Sequence, residues 1–231
     1  MRLQIDGRPD PTFETLNTGG TVAIVLQPDR KILVADSQQV LRIHPNGALD
    51  STFQPGRASP EFGGISAIAI SHPHFYTTLV EWSRAFGNVP VHLHADDAAW
   101  VMRPDPCVAH WQGETLELLP GVTLIRGGGH FPGGTMLHWA AGADGRGVVC
   151  SADIATVNLD RKSFTFMRSY PNAIPLSEKG ARAIGAALAP FPFDRVYSHF
   201  FERVIPADAK RILQASIDRY VAAIGGAYDR G

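Results

Sequence analysis

ISAIAIS, residues 65–71, is an apolar run that stops at His72, with His74 two residues on. Three further runs end in the same manner. GVTLIR (121–126) leads through glycines to His130, GVVCSA (147–152) ends at Asp153, and RVYS (195–198) ends at His199. Short apolar runs bounded by Gly and Pro are the pattern of buried strands. In layered α/β proteins the ligand site lies beyond the carboxyl ends of the strands. Three imidazoles and a carboxylate gathered at one sheet edge suit a borderline metal such as zinc. The expected fold class is α/β (α+β), with the chemistry at the strand ends.

Helical patterns alternate with these runs. Residues 77–86 (TTLVEWSRAF) bring Leu79, Val80, Ser83 and Phe86 near one helical face, and residues 96–102 make a short helix. Residues 177–188 and 207–224 are the clearest helices. The last carries Ile212, Leu213, Ile217, Tyr220, Val221 and Ile224 at helical spacing, with Pro206 at its start and Gly225-Gly226 as its stop. These stripes are core-packing faces.

Composition narrows the function classes. The chain has 231 residues, 45% of them apolar, enough for a sizeable core. A formal net charge of −1 gives no electrostatic reason to bind nucleic acid or an anionic membrane. No apolar run is long enough to span a bilayer. MRLQIDGRPD lacks the apolar stretch of a secretory signal, so a reducing cytoplasm is the expected compartment. Cys107 and Cys150 lie too far apart for a metal motif, and Cys150, inside an apolar run, is expected to be a buried free thiol.

Residues 1–56 have a different character. Asp10-Pro11-Thr12-Phe13 and Asp50-Ser51-Thr52-Phe53 flank alternating apolar runs separated by Pro-Asp and Asn-Gly turns. That pattern predicts a small antiparallel meander. LQPDRKILVAD (26–36) and VLRIHPNGALDSTFQPG (40–56) resemble the delta-60 repeat of β-propeller-like proteins. A lone repeat leaves sheet edges unpaired. The segment is therefore expected to lend strands to the following domain, burying Val22, Ile24, Leu26, Ile32, Val34 and Ile43. The alternatives are self-association through its strands and poor order. The expected domains are 1–56, a junction at 57–64, and 65–231.

Other histidines compete for attention. His92 and His94 repeat the His-X-His spacing, but the plainer reading is one packed and one exposed ring. His138 sits in an apolar run and reads as structural. His44 and His110 lie in turn-like contexts. Glycines on both sides of His130 permit close approach of backbone to a ligand.

From residue 63 onward, SHPHFY, LVEWSRAF, LHADDAAWV, GVTLIRGGGHFPGGT, the strand ending at Asp153 and FMRSYPNAIPL resemble the metallo-β-lactamase-fold hydrolases. The resemblance implies an αββα sandwich, with the N-terminal meander in place of the usual first strands. It also implies His72, His74 and His130 as metal ligands, Asp153 as a bridging carboxylate and His199 as a last ligand. Where the motif of that family has Asp and His, this chain has Tyr76 and Thr77. The implied cofactor is therefore one zinc ion rather than two. Asp153 and Tyr76 are the expected catalytic groups. Arg168, Tyr170 and Asn172 are candidates for the substrate side of the cleft. The expected activity is metal-dependent hydrolysis of a small ester, lactone, thioester or phosphodiester. The rival reading is a non-catalytic binding protein with weak or absent metal binding.

Overall fold

The computed structural model describes residues 21–26, 32–36, 40–43, 48, 50–52, 65–200 and 203–229. The chain divides into two compact units. The first comprises Met1–Ile68, Thr77–Val91 and Asp105–Val108, and the second Ala69–Tyr76, His92–Pro104 and Ala109–Gly231.

In the first unit, strands β1 (Thr21–Leu26), β2 (Ile32–Asp36) and β3 (Val40–Ile43) pair antiparallel in chain order. Ile24 stands opposite Val34, and Val34 opposite Leu41. The meander forms a sheet of its own. The side chains of Val22, Ile24, Leu26, Ile32, Val34 and Ile43 lie outside the described residues, as does the 57–64 junction. β4 (Ile68–Ala69) follows, and then α1 (Leu79–Ala85), which buries Leu79, Val80 and Ser83 as its spacing predicts. The Ser83 hydroxyl donates to the Val89 carbonyl at 2.6 Å, satisfying a buried polar group. β5 (Val91–His94) and β6 (Val108–Trp111), most of whose residues are assigned to the second unit, form a short sheet in the order β4-β5-β6.

The second unit is built on six strands. After β7 (Thr115–Leu119), β8 (Val122–Arg126) and β9 (Thr135–Trp139) comes a single turn, α2 (Gly142–Gly145), and then β10 (Val148–Ala152). Two small hairpins intervene, β11 (Thr156–Val157) with β12 (Phe164–Thr165), and β13 (Met167–Ser169) with β14 (Ile174–Pro175). Helix α3 (Glu178–Leu188), β15 (Arg195–Ser198), β16 (Val204–Ile205) and helix α4 (Ala209–Ile224) close the chain. The sheet order is β16-β15-β10-β9-β8-β7, with β10 and β15 parallel and every other pair antiparallel. All six strands come from residues 115–205, and among the described residues the N-terminal strands pair with one another in a separate sheet.

Register explains which face is covered. Val149 stands opposite Val196, Val196 opposite Ile205, and Ile125 opposite Met136. Strand partners share a face, and these five pack with Ala181, Ile184 and Leu188 of α3 and Ala209, Leu213 and Ile217 of α4. Each fully buried aliphatic side chain contributes roughly 1.5–3 kcal/mol relative to exposure. Ser177 caps α3 by accepting from the Gly180 N–H at 3.2 Å.

The short helix expected over 96–102 is a 3₁₀ helix at Ala95–Trp100. Two local expectations need correction. The last helix begins at Ala209, because Asp208 adopts a left-handed φ of 57° and Pro206 stays outside. Cys150 is exposed. It points to the face opposite the helices, where its strand neighbours are Leu137 and Tyr197. An apolar run in a sheet fixes burial for one face only.

Gly147 begins β10 at φ +85°, and a Cβ there would lie 2.1 Å from the Pro192 carbonyl oxygen. Its own carbonyl accepts from the Asp194 and Arg195 N–H groups, setting where β15 starts. Gly147→Ala is expected to destabilise the chain by more than about 2 kcal/mol, through strain and clash together. Gly145→Ala, also at positive φ but in open space, should cost about half as much. Urea midpoints of the two variants check this; equal shifts would refute the clash.

Candidate metal centre

Local chemistry places each candidate ligand. β4 delivers the chain through Ser71 to His72, which is extended (φ −169°) and begins a 3₁₀ turn over Pro73–Phe75. Pro73 suits the first position of that turn, whose N–H would have no partner. His74 thus sits in the turn and not on a strand, and the His72 and His74 rings meet edge-on at 5.0 Å. His130 comes from the loop between β8 and β9. Gly128 and Gly129 have φ of +62° and +76°, a region that side-chain-bearing residues rarely occupy. The Gly127 and Gly128 N–H groups close this loop on the Gly134 carbonyl. Thr135 N–H then donates to the Ser71 carbonyl at 2.8 Å, which ties the two histidine segments together one residue before His72.

Asp153 follows β10 after a backbone irregularity. Ala152 adopts φ 45°, and the β10–β15 register shifts between Cys150 and Ala152. A non-glycine residue in this region costs about 1 kcal/mol or more, and such strain gathers at functional sites. Here it turns the carboxylate toward the histidines.

The resulting group is His72, His74, His130 and Asp153, with one ligand atom from each lying within 4.8 Å of the others. Asp153 Oδ2 is 3.5 Å from His72 Nε2, 4.0 Å from His74 Nδ1 and 3.8 Å from His130 Nε2. His130 Nε2 and His74 Nδ1 are 3.5 Å apart. A tetrahedral ion with ligands at ~2.0–2.1 Å needs edges of ~3.3 Å, so modest contraction would fit zinc. His72 Nδ1 pairs with the Ser71 hydroxyl at 2.9 Å, while its buried Nε2 has no hydrogen-bond partner. A buried imidazole nitrogen left in that condition, beside a carboxylate and two more imidazoles, is what a cation would satisfy.

Electrostatics favour the deprotonated ligands. Burial and the neighbouring His72 lower the pKa of His130 to about 4 against the opposing pull of Asp153. Burial and His72 also lower His74. Burial pushes the Asp153 carboxyl up, but the imidazoles of His199 and His72 outweigh it and hold the group well below the usual carboxylate range.

The other expected residues fall in distinct places. His199 is outside the group of four, and its Nδ1 lies 2.7 Å from Asp153 Oδ1 and 3.3 Å from the Ala152 carbonyl. Tyr76 is buried, and burial together with the Asp97 carboxylate raises its pKa. Tyr170 lies beside the centre, its ring 5.3 Å from His130 and its hydroxyl donating to the Asp153 carbonyl at 3.3 Å and contacting the Thr156 hydroxyl. Burial pushes its pKa up to about 12, so it stays a neutral donor. Arg168 donates through Nη1 to the carbonyls of Gly129 (3.2 Å) and His130 (2.7 Å), bracing the ligand loop. Asn172 is exposed and donates to Ser169.

Of the second His-X-His pair, His94 is buried, pairing with the Gly113 carbonyl and accepting from the Asp96 N–H, and His92 is half-buried. His138 is structural, with Nε2 2.7 Å from the Pro192 carbonyl. Asp97 was not singled out by its sequence context. It is fully buried, accepts from the Gly133 N–H at 2.9 Å and so anchors the far end of the His130 loop. Nothing in HADDAAW distinguishes it from the half-exposed Asp96.

No family model matches the chain. It is 46% identical to the Uncharacterized protein YmaE of Bacillus subtilis (strain 168) over 164 residues, 71% of this chain and 59% of that protein. The chain thus spans 59% of the length of that curated relative. Among solved structures it is similar to the metallo-beta-lactamase SMB-1 in a complex with mercaptoacetic acid, with a TM-score of 0.50, 14% identity, and coverage of 90% of this chain and 93% of that one. It is also similar to a B3 metallo-beta-lactamase with an active-site glutamic acid, with a TM-score of 0.49, 16% identity, and coverage of 87% and 85%. The chain has the metallo-beta-lactamase fold, a mixed α/β arrangement. No helix among the described residues is long and apolar enough to cross a membrane.

The low pKa of His130 makes a sign-definite prediction for the chelator-treated protein. Unfolded, this imidazole titrates near 6.5; folded, near 4. The unfolded state therefore binds the proton first, so stability is intact above about pH 6.5 and falls progressively toward pH 4. Denaturant midpoints between pH 7.5 and 4.5 should decline, and His130→Gln should flatten the slope. An unchanged slope in the variant would show that His130 is not held neutral.

Proposed function

We propose that the chain is a metal-dependent hydrolase working with one zinc ion on a small ester, lactone or thioester, with phosphodiesters the other chemistry the site suits. The observation that carries this is the convergence of three imidazole nitrogens and one carboxylate oxygen, with His72 Nε2 buried and unpartnered. His72, His74 and His130 would hold the ion. Bound there, zinc supplies Lewis-acid polarisation and makes water acidic enough to attack near neutral pH.

The chain's own residues do the rest. Asp153 Oδ2 faces all three imidazoles and is placed to accept a hydrogen bond from the attacking water and fix its direction. A carboxylate held so acidic is a weak base, which favours this orienting role over full proton abstraction. His199 Nδ1 lies 2.7 Å from the other carboxylate oxygen and would help to position it. Tyr170 steadies the Asp153 backbone as a neutral phenol. His74, whose side chain is 46% exposed, marks the side from which substrate and water arrive. Hydrolysis consumes water alone and needs no further co-reactant.

Metal analysis after dialysis should find about one zinc per chain. His72→Ala and His130→Ala should each abolish uptake, and His92→Ala should leave it intact. Two tightly held ions, or none after growth with added zinc, would refute the stoichiometry.

Asp153→Asn separates orienting from ligation. It should retain zinc and lose about 10²–10⁴-fold in turnover, measured with whichever ester, lactone, thioester or phosphodiester a substrate screen finds active. Loss of zinc instead would make Asp153 a ligand, and full activity would remove it from the mechanism.

A further inference from the structure

The approach to the centre is aromatic. Phe131 directly follows His130, and its ring centroid lies 5.0 Å from His130, 5.1 Å from His74 and 5.6 Å from His72. Trp100 packs edge-on against Phe131 at 5.5 Å and is 55% exposed. Phe75 lies 4.8 Å from His72 and is half exposed. Met102, two residues beyond Trp100, is almost wholly exposed. Rings of this size are normally covered, because leaving them in water forfeits apolar burial. Their concentration beside a cluster of metal-ligating groups is the pattern of a ligand-contact surface.

Nearby charge is committed within the chain. Arg168 donates to the carbonyls of Gly129 and His130. Asp96 pairs with Arg126 at 2.6 Å. The polar groups of the site are thus the imidazoles, Asp153 and Tyr170, and Phe131 leads outward to the exposed ring of Trp100.

We infer that the substrate carries an apolar aryl or medium-length acyl group, which lies on Phe131 and Trp100 while its scissile carbonyl faces the three imidazoles. This rests on the metal-dependent hydrolase reading and adds the substrate class. The Phe131 ring packs against all three imidazoles, so an apolar group attached to a moiety held among them has this ring within reach. Covering on the order of 100 Å² of apolar surface there strengthens binding roughly 50-fold over a polar group of similar reach.

The test uses cobalt-loaded full chain and two thiols of similar basicity, phenylmethanethiol and 2-mercaptoethanol, titrated by the thiolate-to-cobalt absorption band. Phenylmethanethiol is expected to bind at least about ten-fold more tightly. Phe131→Ala and Trp100→Ala should each reduce that preference several-fold, with 2-mercaptoethanol affinity held within about two-fold. Trp100 is exposed, so its variant should fold normally; melting temperatures verify this. Equal affinities for the two thiols, or a preference that survives both substitutions, overturn the substrate class and leave the hydrolase reading standing. A chain that takes up no cobalt overturns both. A parallel comparison of phenyl and ethyl esters should show the preference in KM, with both variants raising KM for the phenyl ester alone.

Discussion

Three imidazoles packed around one buried carboxylate are the constraint on which the rest of this molecule turns. The His72, His74 and His130 rings lie 5.0–5.1 Å from one another. At that spacing, in a partly desolvated pocket, protonating one ring opposes protonating the next. The neutral set is what a metal requires. The Thr135–Ser71 backbone bond, Asp97 on the Gly133 N–H and Arg168 on the His130 carbonyl all act on the same two loops. None of these groups belongs to the ligand set, yet each limits how far the rings can drift apart.

The helical layer serves the same end from behind. Val149 and Val196 lie in neighbouring parallel strands, and α3 and α4 cover them. That packing fixes where β10 and β15 stop. Ile154, one residue past Asp153, is 1% exposed and belongs to the same core. The unfavourable φ of Ala152 is thus held between a paired strand and a buried anchor. A few kcal/mol of apolar burial on either side outweighs the local strain. Asp153 and His199 emerge from adjacent strand ends, which is why residues so far apart in sequence arrive 2.7 Å from each other.

Much of this arrangement was legible in the chain. Strands ending at His72, Asp153 and His199 follow from apolar runs that stop abruptly, and Ser177 before a helical stripe correctly marks the start of α3. What escaped sequence reading depends on tertiary neighbours. Asp96 and Asp97 are adjacent and chemically identical, and only the approach of Gly133 buries one of them. The Arg168 guanidinium braces a loop 38 residues away in sequence, a contact that no local pattern signals. Cys150 lies in an apolar run but on the strand face away from the helices, a choice set by register and invisible to hydropathy. His72 and His74 enter a 3₁₀ turn, and their convergence with His130 depends on a loop more than 50 residues further along the chain.

The number of ions turns on how many donors remain once the first set is complete. Asp153 offers two oxygens. Oδ2 faces the three imidazoles, and Oδ1 faces His199 Nδ1. Position 76, where the hydrolase motif would supply a carboxylate, holds a buried tyrosine whose raised pKa keeps it neutral. A second ion would have to displace His199 from Asp153 and would find no additional anion at position 76. A two-ligand site of that kind is poor coordination for zinc, which prefers three or four protein donors. On the proposed one-ion reading, His199 would act by positioning the carboxylate, from which its Nδ1 lies 2.7 Å. Asp153 would then present one oxygen to that imidazole and the other to the three imidazoles that would hold the cation.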